Sequence, residues 1–126
     1  MPHPTLAMGE TSDLLRPPSW VWLWCVPACV AIGASLLRAR GVLSLPAAGA
    51  LWAVVTLWIG LACALNARRC GRVHCIIDGV VFPVLAAIGL LNVLGIVTFS
   101  WSVYWGAFFA VLVASFIPEV VWKRYI

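Results

Sequence analysis

The stretch GVVFPVLAAIGLLNVLGIVTFSWSVYWGAFFAVLVASFIP runs from Gly79 to Pro118 without one charged residue. Its 40 residues are too many for a single crossing, because roughly 20 apolar residues cover a hydrocarbon core of about 30 Å. It divides at Thr98-Phe99-Ser100-Trp101-Ser102, where hydroxyls and aromatic rings cluster. Trp and Tyr favour the membrane interface. Trp101, Tyr104 and Trp105 therefore mark a tight turn at the surface, between one helix over about 77–99 and another over about 101–122.

Two further spans precede this pair. Trp20 to Leu37 gives 18 residues without a charge, and Val42 to Leu65 gives 24. The spans read as 20–37, 42–65, 77–99 and 101–122. None alternates between apolar and polar residues, so a β-barrel is excluded. The fold class is all-α: a polytopic membrane protein, one compact bundle of four transmembrane helices over 19–126. Composition agrees. Only 10% of residues are charged and 64% are hydrophobic, whereas a soluble domain carries about 25% charged residues. Residues 1–18, with Pro2, Pro4, Pro17 and Pro18, form a polar arm. The arm has no Lys or Arg before Arg16. It lacks the basic start of a signal peptide, so the first helix is expected to be retained.

The net charge of +4 reflects topology. Its basic residues flank apolar runs, which excludes a nucleic-acid surface. With four crossings, Arg16, Arg68, Arg69, Arg72, Lys123 and Arg124 fall on one side, and Arg38 and Arg40 on the other. Positive residues mark the cytoplasmic face. Both termini and the second loop are expected there, in a bacterial inner membrane.

Five cysteines carry the chemistry. Cys25 and Cys29 are four positions apart, on one helical face. Pro27 lies between them and deprives the Leu23 carbonyl of its helical partner. The pair reads either as an intramembrane stop for a soft ion or as incidental thiols on a proline-kinked helix. Cys70, His74 and Cys75 are the sharper set. They fall within Arg68-Arg69-Cys70-Gly71-Arg72-Val73-His74-Cys75, read as the cytoplasmic loop. Thiolate and imidazole suit soft or borderline ions. Neighbouring guanidinium groups favour thiolate, and Gly71 lets the chain bend. No C-x-x-C pair is present, so this is not a zinc finger. The expected metal ligands are Cys25, Cys29, Cys70, His74 and Cys75. Cys63 reads as a packing thiol. Were the second helix to continue, Cys63, Asn66, Cys70 and His74 would share a face, with Gly71 opposing that continuation.

The remaining polar residues have quieter readings. Asp78 is expected to cap the third helix or pair with an arginine. Asn92 is expected to hydrogen-bond between helices. Glu119 is expected to pair with Lys123, and His3 carries no signal. No nucleotide loop, Ser/His/Asp set or deep pair of carboxylates is present, so the chain reads as no enzyme.

Cys25 and Cys29 beside Pro27, with Cys70 and Cys75 after the second helix, resemble the small inner-membrane mercuric-ion transporters of bacterial mercury resistance. Members have three or four helices, a cysteine pair in the first and often a second pair in a cytoplasmic loop. Their first pair is usually adjacent or separated by two residues; here three residues intervene. The resemblance implies ligand exchange, with Hg(II) passing from outer thiols to Cys25/Cys29, then to Cys70/Cys75, then to a cytoplasmic acceptor.

A soft metal ion would then be a substrate, with no permanently bound cofactor. The partners are the lipid bilayer, the metal acceptor, and either further copies of the chain or a larger complex. The competing reading is a structural or accessory subunit of such a complex. A thiol–disulfide enzyme is disfavoured, because its reactive pair would face the oxidising side. The charge split makes a direct prediction: reporter fusions at Ser12 and at the carboxyl terminus both read out cytoplasm. An external signal at either site overturns the topology.

Overall fold

The computed structural model describes residues 21–122, apart from the side chains of Cys70 and Trp122. The chain is all-helical there. A π-helical turn, Val21–Cys25, leads into α1, Val26–Ala39. Then follow α2, Leu45–Cys70; α3, Val73–Val93; and α4, Trp101–Trp122. Val21–Ala39, Leu45–Arg69, Val73–Val93 and Trp101–Val121 are each long and apolar enough to cross a membrane. The four form a bundle in which α1 packs on α2, α2 on α3 and α3 on α4. Half of the apolar window of α2 is buried inside the bundle, against 22% or less in the others. Helix α2 is thus the central element.

The local chemistry sets the helix ends. Pro27 donates no N–H, and the turn before it is π-helical, a wider winding that appears where the α ladder is interrupted. Ser44 caps α2, accepting from Ala47 N at 3.3 Å, with Pro46 in the first turn, where a missing N–H costs nothing. At the far end Gly71 adopts φ +66° and donates its N–H to Ala67 O at 2.9 Å. That left-handed turn is the usual stop signal of a helix. The arm over 1–18, Arg16, Lys123 and Arg124 lie outside the described residues.

Several boundaries differ from the sequence reading. Helix α2 runs on from Leu65 to Cys70, and α3 begins at Val73 rather than near 77. The expected thiol loop shrinks to Gly71 and Arg72. His74 and Cys75 belong to the first turn of α3 and are buried. The third span ends at Val93, not 99. Its end is fixed by Asn92, whose Nδ2 donates to Phe99 O and whose Oδ1 accepts from Phe99 N, both at 3.3 Å. Asn92 thus closes the turn into α4 instead of bridging two helices. Asp78 is no cap either. It lies inside α3, 1% exposed.

Helices α2 and α3 touch through their backbones. A Cβ on Gly79 would stand 2.8 Å from Ala64 Cα, and one on Gly60 would stand 2.6 Å from Pro83 Cδ. Real Cβ atoms do not approach backbone or a rigid proline ring that closely, so the two helices would have to separate. At the other end of the bundle aromatic rings fill the space. Trp52 meets Trp101 and Trp105 edge-on at centroid distances of 5.2 and 6.2 Å. Tyr104 OH donates to Thr56 Oγ1 at 2.8 Å, and Trp52 Nε1 donates to Ser35 Oγ at 3.2 Å. Such interhelical bonds average about 0.6 kcal/mol in membranes, so packing holds this end and the hydrogen bonds orient it. Gly79→Ala should cost about 1–3 kcal/mol by overpacking, read as a lower thermal midpoint in detergent. Gly106→Ala, where a Cβ meets nothing within 4 Å, should cost little.

Candidate thiol–histidine site

One end of the bundle gathers the reactive side chains. The last turns of α2 supply Cys63 and Asn66, the first turns of α3 supply His74, Cys75 and Asp78, and the end of α4 supplies Ser115 and Glu119. Spacing explains the first two: Cys63 and Asn66, three apart, lie on the same face of α2 and are 3% and 0% exposed. The two-residue link then returns the chain at once, so α3 packs against that face.

Cys75 is the centre. It is fully buried, at 0% exposure. Asn66 Nδ2 donates to its sulfur at 3.3 Å. His74 Nε2 lies 3.3 Å from the same sulfur. Cys63 lies on the same face of α2 as Asn66, three residues before it, and is buried beside the Asn66–Cys75 contact. His74 is itself held from the far side, its Nδ1 bonded to Glu119 Oε2. Both ring nitrogens are thus engaged, Nδ1 by the Glu119 carboxylate and Nε2 by the Cys75 sulfur. Phe116 stacks on the imidazole at 4.2 Å between centroids. The result is a row, Glu119–His74–Cys75–Asn66, crossing from α4 through α3 to α2, with Cys63 beside its end. Glu119 is its outermost member, with a side chain 24% exposed against 7% for His74.

Asp78 adds a carboxyl one turn deeper. Its Oδ2 accepts from Ser115 Oγ at 3.1 Å, while Oδ1 has no hydrogen-bond partner. The Ser115 hydroxyl also lies 2.8 Å from Leu112 O. Its single proton therefore faces two acceptors.

The sequence-derived ligands fare unequally. His74 and Cys75 are brought together, and Asn66 joins them. Cys70 is the last residue of α2, and its side chain lies outside the described part. Cys25 ends the π-helical turn, half-buried, and Cys29 is exposed on α1. Among the described residues, no three His, Cys, Asp or Glu side chains converge to hold a metal ion. Cys25, Cys29, Cys63 and Cys75 are all free thiols. Sequence reasoning missed two members. Cys63 reads as a packing thiol unless the second helix continues to put it on one face with Asn66; the helix does continue, to Cys70. Glu119 was expected to pair with Lys123, and no local pattern ties it to His74, 45 residues away.

No family model, no curated protein and no solved structure matches the chain. The site therefore has to be understood from its own groups. Glu119→Leu would leave a buried imidazole N–H without its acceptor, a loss of about 1–3 kcal/mol. Glu119→Gln keeps an acceptor and should lose less. Thermal unfolding of the two variants in one detergent checks the order; equal midpoints would deny that Glu119 holds His74.

Proposed function

We propose that the chain is a small multi-pass membrane protein that handles a soft metal ion by thiol ligand exchange. The observation that supports this is the burial of two free thiols, Cys63 and Cys75, on neighbouring helices that meet through Asn66 and Cys75. Paired sulfurs select thiophilic ions such as Cu(I) or Hg(II) over harder cations. Such ions accept two sulfur ligands in a line and need no third. Asn66 and His74 hold the Cys75 sulfur in place, as partners around a metal ligand commonly do. The ion is cargo, and the sequence-derived Cys25/Cys29 pair on α1 serves as an earlier stop.

Direction follows from charge. Arg68, Arg69 and Arg72 surround the α2–α3 link, and basic residues favour the cytoplasmic face. On this reading the Cys63/Cys75 end faces the cytoplasm of a bacterial cell. There a soluble thiol acceptor collects the ion.

The test is anaerobic titration of purified protein with Hg(II) or Cu(I), counting bound ions and remaining thiols. Cys63→Ala/Cys75→Ala should lose one tightly held ion, while Cys25→Ala/Cys29→Ala keeps it. Ligating thiols lose their protons on binding, so affinity should fall as pH falls. Unchanged binding by the Cys63/Cys75 variant would overturn this function. The reading as a structural subunit would take its place.

A further inference from the structure

The two sulfurs of this site are not equivalent. Cys75 has an amide donor, Asn66 Nδ2, and an imidazole nitrogen, His74 Nε2, both at 3.3 Å. The imidazole is aligned from behind by Glu119. A nucleophile, a base within reach and a group orienting that base is the general arrangement of an activated thiol. Cys63 is buried on the facing helix, on the same face as the Asn66 that bonds Cys75. That is the position of a resolving cysteine, which needs only to reach its partner.

Backbone contact between the helices favours closure of this pair. Next to Cys63, Ala64 is in contact with Gly79, one turn beyond Cys75. No bulky side chain holds the helices apart at that level. Burial decides which oxidant can act. Cys63 and Cys75 are 3% and 0% exposed, so every reactant enters through a local opening, which a small one passes far more readily than a bulky disulfide. A molecule little larger than water is the fitting reactant.

We propose that Cys75 and Cys63 form a two-electron redox centre that reduces small hydroperoxides. The sulfur of Cys75 attacks one oxygen of hydrogen peroxide, and the O–O bond breaks. The thiol proton, handed across by His74, leaves with the hydroxide as water. Cys75 is left as a sulfenic acid, which condenses with a nearby thiol to a disulfide. Here Cys63 attacks that sulfur, the S–O bond breaks and a second water departs with the proton of Cys63. In sum, two thiols and one peroxide give one disulfide and two waters. An external thiol reductant restores the pair. The reaction needs no metal, so it stands or falls separately from the metal reading.

The experiment uses the full chain, reduced and metal-free, in detergent or nanodiscs. Hydrogen peroxide is added in substoichiometric steps, and oxidised glutathione serves as the bulky comparison. Non-reducing peptide mapping by mass spectrometry should find a Cys63–Cys75 disulfide, with two thiols lost per peroxide consumed. Glutathione disulfide should give far less of it. Cys63→Ser should stop the reaction at a Cys75 sulfenic acid, trapped by dimedone. His74→Gln should slow oxidation roughly a hundredfold. Wild-type mapping is decisive even if a variant fails to fold. Oxidation spread evenly over Cys25, Cys29 and Cys70, with no Cys63–Cys75 disulfide, would overturn the proposal. So would a His74→Gln rate equal to wild type in folded protein.

Discussion

The contact on which the molecule depends is the backbone approach of α2 and α3. It requires glycine at 60 and 79, because a Cβ at either would meet the opposite helix. It also requires an immediate reversal between the helices, which Gly71 supplies in its left-handed conformation. In lipid there is no gain from gathering apolar side chains, since the tails are equally apolar; close van der Waals packing has to hold helices together. Small residues at the crossing are the means. Widening this contact by the width of a methyl group would draw Cys63 and Asn66 away from Cys75.

The site inherits its precision from that crossing. Polar groups buried at membrane depth are expensive when unpaired. Here the carboxylate of Glu119, the imidazole of His74, the amide of Asn66 and the thiol of Cys75 pair largely with one another. Each member comes from a helix held by packing elsewhere along its length. The arrangement is thus fixed before any ion or oxidant arrives. Individual hydrogen bonds of this kind are weak, about 0.6 kcal/mol on average in membranes. The row therefore specifies geometry more than it stabilises the bundle. Among the described residues one oxygen of Asp78 departs from this pattern, having no hydrogen-bond partner.

Much of the architecture was legible from the sequence because membrane spans are written in long uncharged runs. The break between α3 and α4 was readable from Thr98 to Ser102, where hydroxyls and rings interrupt the run. The ends near Cys70 and Val73 were not. Helix propensity and hydropathy do not separate a helix that stops at the membrane surface from one that continues past it, and Arg68 and Arg69 suggested a stop at Leu65. The same error moved His74 and Cys75 from helix to loop. His74 and Cys75 were singled out because their chemistry is local and visible. Cys63 and Glu119 escaped because their roles exist only once α2, α3 and α4 are side by side. A cysteine in an apolar run has the same appearance whether it packs or reacts; only the identity of the atom facing it decides.

The two ends of the bundle divide stability from chemistry. Around Trp52, Trp101, Tyr104 and Trp105, interlocked rings and the Asn92–Phe99 closure tie α2, α3 and α4 together. At the opposite end the links are polar, and Phe116 on His74 is an aromatic contact that forms part of the site itself. Aromatic packing is insensitive to protons, metals and oxidants, whereas thiols, imidazole and carboxylate respond to all three. A ligand that alters the Cys63–Cys75 pair therefore acts on the end of the bundle where helices α2, α3 and α4 are joined by groups that can change state. The ring-packed end stays in place and serves as the fixed frame. Movement between α2 and α3 needed to admit an ion or a small oxidant would accordingly be a local opening about Gly71, bounded within the span by the Gly79–Ala64 contact.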